Sequence, residues 1–171
     1  MTDRFQWPAG LQPAAAVAEG ETPPVIATDH EALLRSPDPA LESNKRFCYE
    51  MYRTVLQAGH AARVCDFIAK DYIQHNPNAA SGAAALEEFI RNSRPERPIE
   101  QVLQLPLVSI IAERDMVTFV FVRKENPKDG DVYYTSWFDT FRLADGLIVE
   151  HWDPALRSAE MRRIDPNEKR L

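Results

Sequence analysis

Two side chains stand where proton chemistry is possible. His75 lies in the run Tyr72-Ile73-Gln74-His75-Asn76-Pro77, and Asp139 lies among aromatic residues between Tyr133 and Phe141. An imidazole titrates near neutrality and makes a ready base. Aromatic surroundings desolvate a carboxylate and disfavour its charge, the usual route by which a carboxyl becomes a proton donor or a base near neutral pH. Structural readings compete: a carboxylate paired with an arginine or capping backbone amides, and a histidine held only by packing.

Counting by two along the Asp139 segment puts Tyr133, Thr135, Trp137, Asp139, Phe141 and Leu143 on one face of a strand. The following hairpin decides what joins them. A three-residue loop Ala144-Asp145-Gly146, with Gly146 left-handed, sets Asp139 opposite His151, whereas a two-residue Asp145-Gly146 loop sets Trp152 there. One residue of register reverses which side chain faces inward, and both registers stay open.

His75, His151, Asp139 and Asp153 contain the two-histidine, one-carboxylate set that holds iron or zinc, but no local ligand spacing supports a site. Glycine-rich nucleotide motifs, a nucleophile elbow and a His-Glu-x-x-His zinc motif do not occur. The expectation is therefore no metal and no cofactor. Cys48 and Cys65 fall in helical, partly apolar stretches and are expected to be buried or half-buried thiols.

The elements that must carry these residues follow from periodicity. Asp38-Pro39 is an N-cap and first-turn pair, and Phe47, Cys48, Met51, Tyr52, Val55 and Leu56 recur at helical spacing, giving a helix from about 39 to 58. Gly59 ends it. A short helix over about 60–70 and a third capped by Ser81, with Leu86, Phe89 and Ile90 as its stripe, come next. Beyond residue 99 the period becomes extended, with strands at roughly 100–113, 116–124, 131–143 and 147–153, a further short one at 72–75, and turns at 113–115, 126–130 and 144–146. Pro106 suggests a bulge or an edge.

The 171 residues, 44% hydrophobic and 27% charged, describe one soluble globular domain. Residues 1–38 read as an extended Pro-rich arm, 39–155 as an α+β domain and 156–171 as a charged tail. Part of the arm, with Phe5, Trp7, Leu11, Val25 and Ile26, is expected to lie against the domain or a partner subunit. A formal charge of -6 opposes a phosphate backbone, so nucleic acid is not an expected partner. No stretch reaches the length of a membrane span and no basic-then-apolar leader opens the chain, which makes the cytoplasm the expected compartment.

The Tyr72–Pro77 run, followed by Phe138-Asp139-Thr140-Phe141-Arg142 and Asp145-Gly146-Leu147-Ile148-Val149-Glu150-His151-Trp152-Asp153, resembles SnoaL-like proteins of the nuclear transport factor two-like superfamily over about residues 40–155. The resemblance implies a cone: a strongly curved antiparallel sheet and three N-terminal helices around a pocket, with two chains paired through their open sheet faces. Within that superfamily, ketosteroid isomerase has a helix-one tyrosine similar to Tyr52, a base aspartate where this chain has His75, and an oxyanion-hole aspartic acid similar to Asp139.

The resemblance thus implies a cofactor-independent acid/base enzyme acting on a small hydrophobic carbonyl or hydroxy compound by aldol or retro-aldol reaction, isomerisation or dehydration. His75 would take a proton, and Asp139, helped by Tyr52, would hold the enolate oxygen, with His151 a further candidate. Tyr72, Phe119, Trp137 and Trp152 would wall the substrate. The alternative is a non-catalytic ligand-binding or dimerisation module with the same pocket.

Overall fold

The structure, a computed structural model, describes residues 10–13, 25–125 and 132–155. Strand β1 (Leu11–Pro13) pairs antiparallel with β2 (Val25–Ala27), and a short helix α1 (His30–Leu34) follows. Ala27 and Leu34 are buried, so the C-terminal part of the arm packs on the domain. Residues 1–9, 14–24 and 156–171, and the expected turn at 126–130, lie outside the described residues.

Helix α2 (Pro39–Met51) starts on Asp38, whose side chain accepts the Ala40 N–H at 2.8 Å. It runs on as a π-helical turn, Tyr52–Gln57, in which Ala58 N–H reaches back five residues to Arg53 O at 3.0 Å. The wider turn brings Tyr52, Thr54, Val55 and Gln57 all inward. Gly59 closes it at φ 77°, and a Cβ there would lie 2.8 Å from Pro95 O, so only glycine fits.

The expected second helix is a 3-10 segment, Ala61–Asp66, in which Cys65 is exposed, while Cys48 is fully buried. It leads into β3 (Ile68–Gln74), then α3 (Ala83–Ser93). Gly82, not Ser81, caps α3; Ser81 Oγ instead accepts the Gln74 N–H at 3.0 Å.

Strands β4 (Leu107–Glu113), β5 (Met116–Glu125), β6 (Tyr133–Ala144) and β7 (Leu147–Trp152) form an antiparallel meander. β4 begins only after Pro106, which has no N–H to give and contributes its carbonyl to Val122 N–H at 2.9 Å. The sheet order is β3-β7-β6-β5-β4, curved and unclosed, and β3 lies parallel to β7. The wholly antiparallel sheet expected from sequence is corrected at that edge. β3 reaches the meander through the long α3 connection, and such a crossover permits a parallel neighbour.

The core lies between the helices and the concave sheet face, where Val117, Phe119, Phe121, Phe141 and Ile148 meet Cys48, Met51, Tyr52, Val55 and Ile90. No helix among the described residues is long and apolar enough to cross a membrane.

Candidate active site

The β6–β7 hairpin sets the site. Its loop is the two-residue one: Asp145 and Gly146 have φ of 51° and 78°, the type I′ signature, and Ala144 pairs with Leu147. Unbroken, that ladder would put Trp152 opposite Asp139. A bulge intervenes, since Leu143 pairs with Ile148 but Arg142 pairs with Glu150, leaving Val149 as the extra residue. The phase shifts by one, His151 pairs with Phe141 and turns to the Asp139 face, and Trp152 turns away. The imidazole stacks on the Phe141 ring, centroids 4.8 Å apart.

Asp139 is 5% exposed and His151 8%. Asp139 Oδ1 lies 3.0 Å from His151 Nε2 and accepts the Trp137 Nε1–H at 3.1 Å; Oδ2 accepts the Tyr52 hydroxyl at 2.8 Å. His151 Nδ1 lies 2.9 Å from Gln74 Oε1. Burial, followed by the neighbouring Asp139 charge, raises the Tyr52 phenol well above its ordinary range, so Tyr52 keeps its proton and serves as a donor. Tyr72 is shifted upward by the same two causes.

These groups face a cavity of about 180 Å³. Its polar end holds Asp139, His151, Gln74, Asn76 and Asp153, while Met51, Leu56, Ile68, Leu86, Phe89 and Phe121 supply apolar wall. Arg123 reaches the lining stacked 4.4 Å from the Trp137 ring centre, and buried Arg94 also faces it. The arrangement suits a small, mostly apolar molecule bearing one polar group that meets a carboxyl and an imidazole together.

Asp139, His151 and Asp153 offer ligand atoms within 4.8 Å of one another. Those atoms are wired into hydrogen bonds: Asp139 with His151, and Asp153 accepting Asn76 Nδ2–H at 2.7 Å and Ala155 N–H at 2.9 Å. A cation there would compete with the Asp139–His151 hydrogen bond for its ligand atoms.

The family model described as "SnoaL-like domain" matches residues 49–151, more than half of the chain. The chain belongs to the SnoaL-like family. Solved structures similar to this SnoaL-like chain include a putative polyketide cyclase from Acidithiobacillus ferrooxidans, at 14% identity over 80% of this chain and 100% of that one, with a TM-score of 0.49. A putative SnoaL-like polyketide cyclase from Jannaschia sp. CCS1 is 17% identical over 77% and 97%, with a TM-score of 0.49. An NTF2-like protein of unknown function from Mesorhizobium loti is 18% identical over 72% and 98%, with a TM-score of 0.48. No curated protein matches the chain.

In this SnoaL-like domain, Tyr52, Tyr72, Trp137, Asp139 and His151 meet at the cavity. His75 does not. Tyr72 and Gln74 alternate inward along β3, so Ile73 and His75 point out, and His75 Nε2 pairs with Glu150 Oε2 at 2.9 Å on the outer face. The expectation that His75 and Asp139 share a cavity is therefore corrected by strand alternation. Trp152 lies with His75, their rings stacked at 4.5 Å, instead of walling the pocket. Phe119 is fully buried behind the site, against Tyr52 and Phe141, and Phe121 takes the lining position. Gln74, Asn76, Phe121 and Arg94 escaped sequence reasoning as site residues. Gln74 carried a usable signal, the two-residue step from Tyr72.

Proposed function

We propose that this SnoaL-like chain is a cofactor-independent acid/base enzyme of cyclase or isomerase type, acting on a small hydrophobic carbonyl or hydroxy compound. The observation that carries this reading is the Asp139–His151 pair, buried at the polar end of a largely apolar cavity and fixed from both sides. The pair gives the proton shared between Oδ1 and Nε2 to a carbonyl oxygen and takes one from the adjacent carbon in its place; the reverse exchange returns a proton to carbon. The C–H electrons become the C=C bond of an enol, which then closes on a second carbonyl, eliminates a hydroxyl as water or is reprotonated on carbon. Tyr52 fixes the carboxyl orientation, and His151 takes the role expected of His75.

Hydrogen–deuterium exchange at the activated carbon of β-tetralone, followed by NMR in deuterated buffer, tests the reading without the natural substrate. Catalysed exchange, suppressed by bound apolar competitors, is expected. Binding of such ligands with no exchange on any aryl ketone tried would assign the cavity to ligand carriage instead. Two copies are proposed to pair through the outer sheet face, where Ile111 and Phe138 are 57% and 45% exposed. Light scattering should give twice the chain mass, and a monomer at micromolar concentration would oppose the pairing.

A further inference from the structure

We infer that Gln74 is a positioning residue that sets the tautomer of His151 and so obliges the Asp139–His151 pair to carry one exchangeable proton. The inference rests on the acid/base reading above. Strand pairing places Gln74 beside His151: the two are register partners across β3 and β7, and His75 N–H bonds His151 O at 3.0 Å.

A carboxamide has an acceptor end and a donor end, and only its neighbours decide which way it faces. Both ends are decided here. Gln74 Oε1 accepts the Asn76 backbone N–H at 3.0 Å, an unambiguous donor, and Gln74 Nε2 donates to the Tyr72 hydroxyl at 3.1 Å. Turned around, the amide would aim its N–H groups at the Asn76 N–H. The Asn76 turn is itself tied down, its Nδ2 to Asp153 and its Oδ1 to Asn78 N–H at 2.8 Å.

The atom 2.9 Å from His151 Nδ1 is therefore an oxygen that can only accept, and Nδ1 carries a hydrogen. The ring position free to gain or lose a hydrogen is Nε2, facing Asp139 Oδ1. A neutral ring held this way would point a lone pair at a carboxylate, so one proton is retained between those two atoms. Without Gln74 the neutral ring would move its hydrogen to Nε2, donate it to Asp139 and leave Nδ1 bare. That would be an ordinary structural hydrogen bond with no shared proton.

The test is NMR of the ring nitrogens in protein labelled with ¹⁵N-histidine, joined to β-tetralone exchange. In the native chain His151 Nδ1 should stay protonated at every pH at which the fold persists. Gln74→Met, of similar length but with no acceptor, should move the hydrogen of the neutral ring to Nε2 and slow exchange about ten- to a hundredfold, the range for partners that orient a working imidazole in metal sites. Gln74→Glu keeps an acceptor toward Nδ1 and toward Asn76, and should restore both the native tautomer and most of the rate. A bare Nδ1 in the native chain overturns the inference even if Gln74→Met does not fold, and so does a native tautomer in folded Gln74→Met. Should the native chain catalyse no exchange, the acid/base reading fails, while the nitrogen spectra still decide the role of Gln74.

Discussion

Replacing Asp139 by asparagine keeps the volume of the side chain and removes its capacity to hold the exchangeable proton. Trp137 Nε1–H and His151 Nε2 converge on Oδ1 while the Tyr52 hydroxyl meets Oδ2, and an amide fits that ring of partners in two ways. With its oxygen toward Trp137, it leaves His151 either facing it with a lone pair or charged without a counterion. With its NH₂ toward His151, it meets the Trp137 N–H head on. Either way one buried polar contact is lost, at a cost of about 1–3 kcal/mol.

At about 2–4 °C per kcal/mol for a chain of this size, Tm should fall by about 2–12 °C. Against the usual margin of about 5–15 kcal/mol the variant remains mostly folded at room temperature. Exchange of β-tetralone should nevertheless drop about a hundredfold or more, the usual worth of a positioned acid or base. Calorimetry and NMR-monitored exchange on the same samples separate the two effects. A rate that falls only in proportion to the folded fraction would refute the assignment of proton transfer to this carboxyl.

His75→Ala should leave exchange unchanged and stability within about 1 kcal/mol, because it removes a half-exposed contact with Glu150 on the outer face; a hundredfold rate loss would hand the base role back to His75. His30, whose Nδ1 lies 2.7 Å from the Tyr49 hydroxyl, is held below the ordinary imidazole range by burial, which outweighs the opposing influence of Ala27 O and Asp29. Below about pH 6.5 the undocked segment takes a proton that the docked ring resists, so docking of residues 25–34 should weaken as pH falls. Lower protection factors at Ala32–Leu34 in mild acid, after division by the intrinsic exchange rate at each pH, are the expected result, with no such change in His30→Phe; protection that is constant or tighter in acid would contradict it.

The fold was legible because each element is strongly periodic: six apolar positions over α2 and the π-helical turn that continues it, and inward-facing Trp137, Asp139 and Phe141 at steps of two on β6. Asp139 was legible for the same reason, as a carboxylate in a row of aromatics, and the Asp145-Gly146 turn announced itself by residue type. The partner of Asp139 was not legible. Bulge residue Val149 looks like any strand valine, and nothing local marks it as the extra residue that turns His151 inward. His75 misled because the short strand expected at 72–75 does not by itself tell its two faces apart: with Tyr72 and Gln74 turned inward, alternation turns His75 out. The Gln74 contacts join β3 to β7 across 77 positions of sequence, and local spacing carries no trace of them.

The Val149 bulge works like a reading frame for the wall of the cavity. Relax it into a regular ladder behind the same two-residue turn, and Glu150 and Trp152 would face inward where His151 now does, with no inward-facing residue of β6 altered. A one-residue slip of β7 that absorbs the bulge would thus exchange an imidazole for a carboxylate and an indole beside the same Asp139, whereas loss of Val149 itself would leave His151 inward. Within such a scaffold, pockets that present different polar groups beside the same carboxyl are separated by one residue of register, a step shorter than the accumulation of matched substitutions.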